Sequence, residues 1–282
     1  MKIKSTRVYV TGNFIPCVLD IEGKTIKQIL PYDTEADVDY KDLRIVPGFI
    51  DIHCHGAYGY DTNDGEPEGL KNWTKNIVQE GVVGLLSTTL TQYKSVLMKA
   101  VKNVADVVKE DDYEGARILG IHFEGPYLDM KWKGAQPPEA IVSPSVEEFK
   151  EYQEAADNLI KIITMAPEHD PEFALTRYAS QHGTIVSIGH SNATFQEAMM
   201  AVANGASSVT HTYNAQTPFT HRANGIVGLA FRLHDMYSEV ICDCNHSTPE
   251  ALNIFFKEKN NKAIMISDAL MCKGFEPGTE FL

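Results

Sequence analysis

From residue 45 onward, apolar runs alternate with amphipathic stretches in a regular rhythm. The runs are "IVPGFIDI", "VVGLLSTTL", "ARILGIHFEG", "LIKIITMAPE", "TIVSIGHS", "SSVTHTYN", "SEVICDCN" and "AIMISDA". Rich in Val, Ile and Leu and bounded by Gly, Pro, Asn or Ser, they predict strands covered on both faces. Between them, Leu70–Glu80, Ser95–Glu110, Glu147–Ala156, Pro171–His182, Phe195–Asn204 and Pro249–Lys259 are amphipathic and predict helices. Helical crossovers make successive strands parallel. Eight such strands predict an α/β fold, a (β/α)8 TIM-type barrel over 45–282, whose functional end is the C-terminal end of its strands. An open doubly wound sheet is the structural alternative, but Gly-x-Gly-x-x-Gly is absent after the first strand. Upstream, "RVYVTG", "CVLDIEG" and "TIKQILP" read as short strands of a small β domain over 1–44.

Composition narrows the partners. The net charge of −13 argues against nucleic acid and against an anionic membrane, both of which call for a basic face. A small phosphorylated substrate needs only a few local cations and stays open. No apolar run is long enough to span a bilayer, and the N-terminus lacks a signal-peptide pattern. The five scattered cysteines are unlike a disulfide framework, so a reducing cytoplasm is the expected location.

The chemistry lies at the strand ends. His53 and His55 end strand one, Glu124 strand three, His190 strand five, His211 strand six and Asp268 strand eight; Asp243 and His246 follow strand seven. Side chains two apart share a face, so His53 and His55 point into the barrel mouth and Cys54 points away. One histidine at a strand end is ordinarily structural. Four of them with a carboxylate, on four different strands, predict a metal site. Five donors suffice for one ion, or for two with a shared carboxylate. Zinc is the expected ion, although iron and other transition metals suit the same donors. Asp268 is expected to take a proton from the attacking water and pass it to the leaving group, its alternative being a helix N-cap. His122 is expected to turn away from the face of Glu124 and to be structural. His169, His182, His221 and His234 are expected in exposed helices or loops. Cys242 and Cys244 form a Cys-x-Cys with no second pair nearby, which predicts buried strand cysteines.

In this order, "PGFIDIHCHG", "GIHFEGPYL", "KGAQPPE", "MAPE", "SIGHSNA", "THTYNA", "HRANGIVGLA" and "ISDALMCKG" resemble the amidohydrolase superfamily, and more closely the N-acetylglucosamine-6-phosphate deacetylases. The His-x-His and the final Asp specify the superfamily only; "EGPYL", "KGAQ", "GHS" and "TH-x-x-NA" carry the finer likeness. That resemblance implies hydrolysis of N-acetylglucosamine 6-phosphate to glucosamine 6-phosphate and acetate. It implies Glu124, His190 and His211 as metal ligands, and His53 and His55 as a second metal site found in some members. It implies Asp268 as general base and then acid, and Asn214, Ala215, Arg222 and His246 as contacts to the sugar phosphate. It also implies a site shared between the two subunits of a homodimer. Gln136 stands where some members carry a histidine that polarises the substrate carbonyl. Gln216 stands where members often have Met, with little consequence expected. Family chains continue beyond the strand-eight aspartate, so the last helix is expected to be missing here. Residues 1–44 would then be the N-terminal part of a small β-sandwich domain.

Two other readings compete. A different amidohydrolase reaction, on another N-acyl or cyclic amide, would in many cases bridge two metals with a modified lysine. No lysine ends a strand here, and Glu124 stands in the matching place. A catalytically silent, truncated scaffold would keep the barrel for assembly alone, and the retention of every ligand type argues against it.

Overall fold

All eight apolar runs form strands: Phe49–Cys54, Val82–Thr89, Arg117–Glu124, Ile160–Met165, Ile185–Ile188, Ala206–Val209, Tyr237–Ile241 and Ala263–Ile266, numbered barrel strands one to eight. The structure is a computed structural model in which residues 1–276 and 278 are described. The strands form one eight-stranded sheet in sequence order. The two ends of that sheet are drawn together by hydrogen bonds. The Asp268 N–H donates to His53 O at 3.0 Å, and Ser267 Oγ donates to Asp51 Oδ2 at 2.5 Å. The result is a nearly closed parallel barrel of TIM type, as the pattern predicts. Apart from Phe49, the first residue of strand one, it lies within the unit Ile50–Leu282; the chain divides into this unit and Met1–Phe49.

Helices α1 (Pro67–Ile77), α2 (Lys94–Glu110), α3 (Val146–Ala155), α4 (Ala174–Gln181), α5 (Phe195–Ala203), α6 (Gly225–Arg232) and α7 (Pro249–Lys259) follow strands one to seven in turn. Local chemistry starts several of them. Thr194 and Glu197 form a reciprocal capping box at α5, and Thr248 caps α7 with Pro249 in its first turn. Leu70 and Trp73 of α1, Leu97, Val101 and Val104 of α2 and Phe149 and Tyr152 of α3 are buried against the outer faces of the strands. Each such side chain contributes about 1.5–3 kcal/mol by leaving water.

α6 lies outside the predicted helices. Gly225 through Ala230 are all buried, so this helix has no polar face to give a helical period. Gly228 is needed there, because a Cβ would lie 2.7 Å from Asn224 Cβ and 2.9 Å from Phe219 Cδ2. A second difference concerns Cys242 and Cys244, expected as buried strand residues. Strand seven ends at Ile241, and both thiols are exposed in the loop that follows. The strand reading ran three residues too far, to Cys244.

In the unit Met1–Phe49, strands Lys2–Val10, Asn13–Glu22 and Thr25–Pro31 are antiparallel neighbours, and the short strands Val38–Asp39 and Arg44–Ile45 pair in parallel with the first. Thr11 and Gly12 both have positive φ, the geometry of a tight two-residue hairpin turn. Among the described residues no helix is long and apolar enough to cross a membrane. The expected loss of a last helix concerns the chain after strand eight, of which residues 277 and 279–282 lie outside the described residues.

Candidate metal centre

Five strand ends converge on one point. His53 Nε2 lies 3.3 Å from Glu124 Oε1 and 3.4 Å from Asp268 Oδ1. His55 Nε2 lies 3.1 Å from Asp268 Oδ1 and 3.5 Å from Glu124 Oε2. From the other side, His190 and His211 bring their Nε2 atoms to 3.4 and 3.2 Å from Glu124 Oε1, and to 3.1 Å from each other. The four imidazoles and Glu124 are all buried. His190, His211 and Asp268 have φ of 48°, 24° and 49°, a left-handed backbone that costs about 1–3 kcal/mol per residue and gathers at functional sites.

The opposite ring nitrogens decide what the centre can hold. Nδ1 of His53 faces Glu239 Oε2 at 2.9 Å, and Nδ1 of His55 faces Thr88 O at 3.3 Å. Nδ1 of His190 faces Trp132 O at 3.0 Å, and that of His211 faces Asn214 O at 3.2 Å. Every one of these partners is an acceptor, so each Nδ1 carries the hydrogen. A neutral ring then turns its Nε2 lone pair inward. Four lone pairs thus face carboxylate oxygens, and His53 Nε2 is buried with no hydrogen-bond partner. Only positive charge satisfies such a cluster. Protons can supply it: burial opposes the charge, but Asp268, Glu124 and Glu239 hold the His53 imidazolium well above the usual histidine range. Burial likewise opposes ionisation of Glu124, yet His53 and His190 hold it well below the usual carboxylate range. Divalent ions compete for the same positions. Besides His53, His122 and Glu239, and Asp129, Glu168 and His169, two groups at the barrel mouth have all their donor atoms within 4.8 Å of one another: His53, His55 and Glu124, and Glu124, His190 and His211. Glu124 is common to both, so the donors fit two ions with a shared carboxylate, or one ion in either group.

Asp268 is not a helix cap. No helix begins at it among the described residues, and its carboxylate faces His53 and His55. Gln136 is buried and fully engaged, its Nε2 donating to Glu124 Oε2 at 2.7 Å while its Oε1 accepts the Thr91 N–H at 2.7 Å. Only one orientation of the amide satisfies both neighbours. Asn214 lies in the turn after strand six, with its Nδ2 buried and unpartnered, and the Ala215 carbonyl accepts from Ser191 N. Gln216 does more than its position promised, donating from Nε2 to the carbonyls of Thr210, His211 and Asn214. Arg222 and His246 are exposed and bonded to no member of the cluster among the described residues. Arg222 lines a cavity of about 370 Å³ with Lys131, Trp132 and Thr217, and His246 Nδ1 pairs with Asp243 Oδ2 at 2.8 Å.

His122 shares the inward face with Glu124, contrary to the expectation that it turns away, because residues two apart on a strand point the same way. Its structural role stands on other grounds. Both nitrogens are taken, by Ile52 O at 2.9 Å and Thr164 Oγ1 at 2.7 Å, and burial pushes its pKa down to about 4. It is therefore neutral. Two interior acids escaped the reading of strand ends. Asp51 accepts from Ser267, and Glu239 sits in mid-strand seven against His53. The available signal was a charged residue inside an otherwise apolar run, which requires a buried partner.

The chain, a parallel barrel with imidazoles and carboxylates gathered at its C-terminal mouth, belongs to the amidohydrolase family, matched over residues 44–274. More particularly, it is 39% identical over 251 residues to N-acetylglucosamine-6-phosphate deacetylase of Bacillus subtilis, covering 88% of this chain and 63% of that protein. It is 31% identical to N-acetylgalactosamine-6-phosphate deacetylase of Escherichia coli O157:H7, covering 87% of this chain and 64% of that protein. A crystal structure of N-acetylglucosamine-6-phosphate deacetylase from Thermotoga maritima superposes with a TM-score of 0.87 at 28% identity, over 100% of this chain and 74% of that one. The chain thus spans somewhat under two thirds of the length of these curated relatives.

Proposed function

We propose that this chain carries the catalytic barrel of an N-acetylglucosamine-6-phosphate deacetylase, releasing acetate and leaving glucosamine 6-phosphate. The observation that carries the reading is the convergence of His53, His55, Glu124, His190 and His211 around positions that need positive charge, with Asp268 facing them. The names of the relatives at 31–39% identity support the substrate class. Zinc is the ion proposed, on nitrogen and carboxylate donors. A bound divalent ion would polarise the acetyl carbonyl and make water a better nucleophile near neutral pH.

The chain's own residues do the rest. Glu124 and the four histidines hold the centre. Burial works against the Asp268 charge, but His53 and His55 hold its carboxyl well below the usual range, so it is ionised near neutral pH, the form in which a carboxylate can take a proton from an attacking water. It then returns that proton to the departing amine. Gln136 steadies Glu124, and any contact it makes with the acetyl group is added to bonds it already has. Asn214, Ala215, Arg222 and His246 are the proposed contacts to the sugar phosphate; the unpartnered Asn214 Nδ2 and the exposed Arg222 guanidinium suit its oxygens. A cytoplasmic homodimer is proposed with it, the cytoplasm being supported by five unpaired cysteines. The assay is acetate release from N-acetylglucosamine 6-phosphate, its galactosamine epimer and unphosphorylated N-acetylglucosamine. The expected order places the first above the second and both well above the third. Equal turnover with and without the phosphate refutes phosphate recognition.

A further inference from the structure

Three of the four inward-facing histidines are backed by main-chain carbonyls. His53 alone is backed by a carboxylate. Glu239 is wholly buried, and its Oε2 lies 2.9 Å from His53 Nδ1 and 3.4 Å from the His211 N–H. Its Oε1 has no hydrogen-bond partner. A buried carboxylate with one oxygen unpartnered is costly, so its presence in mid-strand calls for a compensating role. It does not serve His122, whose nitrogens are bonded to Ile52 and Thr164 and whose ring merely packs edge-on to His53 at 4.4 Å. Its close contact is to the far side of His53; the longer one, at 3.4 Å to the His211 main-chain N–H, needs only an acceptor oxygen, which glutamine also supplies.

We propose that Glu239 is a positioning residue, holding His53 as the Nδ1–H tautomer with Nε2 aimed at Glu124 and Asp268, and making that ring the strongest donor of the four. The proposal rests on the metal-hydrolase reading above and deepens it. The carboxylate fixes ring orientation as a carbonyl would. It adds a negative charge that draws the Nδ1 proton and enriches Nε2, the effect by which carboxylate–histidine pairs tighten metal sites. The consequence is an asymmetry between the two donor groups. An ion among His53, His55 and Glu124 depends on Glu239, whereas an ion among Glu124, His190 and His211 does not.

The test uses the metal-free chain and three variants: Glu239→Gln, His53→Ala and the two combined. Each is titrated with zinc against a chromophoric chelator, with bound zinc counted by atomic emission. Glutamine keeps the volume and an acceptor for the Nδ1–H, so it removes the charge and little else. Glu239→Gln should weaken one zinc by about 10- to 100-fold and leave the other unchanged. In the His53→Ala background the same substitution should change nothing further. Independently of any variant, long-range 1H–15N spectra of the zinc-loaded parent should place the His53 proton on Nδ1. Parental affinities in Glu239→Gln, equal weakening of both ions, an effect that persists without His53, or a proton on Nε2 each overturn the role of Glu239. A parent that takes up no zinc overturns the metal reading itself, and this one with it.

Discussion

Replacing Asp268 by Asn separates chemistry from architecture at the barrel mouth. The residue has φ of 49°, and its N–H closes the barrel onto His53 O at 3.0 Å. Asparagine tolerates the left-handed region better than most side chains and keeps the N–H, so the closure should persist. What disappears is the charged oxygen 3.1 Å from His55 Nε2 and 3.4 Å from His53 Nε2. An amide cannot take a proton from water. General acid–base catalysis contributes about 10²- to 10⁴-fold, and a group used twice, first as base and then as acid, belongs near the upper end. The expected loss in kcat is therefore about 10³- to 10⁴-fold, or about 4–5.5 kcal/mol of barrel-mouth catalysis. Acetate release under saturating substrate measures it, beside zinc content and a melting curve on the same sample. Retention of more than a tenth of parental kcat would refute the proton-transfer role. Loss of zinc in step with activity would make Asp268 a ligand first.

Three further outcomes follow from the geometry. Against burial, His53 is held above the usual histidine range by Asp268, Glu124 and Glu239, and His211 by Glu124 and Asp268; they must lose protons to bind metal. Apparent zinc affinity should therefore fall as pH drops from 8 to 6, by about tenfold per pH unit for each proton displaced, and a flat profile in chelator competition refutes this. Lys259 is buried, with Nζ donating to Ala230 O at 2.7 Å and Leu233 O at 2.8 Å at the C-terminal end of α6. Lys259→Met should cost about 2–4 kcal/mol in urea unfolding, from two stranded carbonyls and a lost favourable charge at the helix end. Gln216→Met removes three bonds that pin the turn carrying His211 and Asn214. It should cost about 1–3 kcal/mol in the same assay and weaken zinc binding, and an unchanged urea midpoint would show that the turn holds without it.

Strand-end histidines were legible in the chain because two simple periodicities place them. Strands buried on both faces appear as apolar runs, and His-x-His has the two-residue period of one strand face, so His53 and His55 could be assigned to one side. The limits of that logic show in particular residues. α6 gave no helical period because it has no wet face, and Cys242 and Cys244 looked like strand because an apolar run need not end where pairing ends. His122 and Glu124 share a face because the strand register runs unbroken between them, and it is the bonds at both ring nitrogens, formed only in the folded barrel, that make His122 structural.

The amino-acid order alone determined the alternation of strand and helix, the barrel it implies, and the residues available at its mouth, since each follows from local pattern and a fixed strand period. Which groups actually meet was decided only by the closed barrel. Glu239 lies 186 residues from His53, and Ser267 lies 216 from Asp51. Contacts at such separations leave no periodic trace, because nothing in the intervening chain has to repeat for them to form. The tautomer of each histidine, the sharing of Glu124 and the locking of Gln136 are all consequences of those distant contacts, and therefore of tertiary structure.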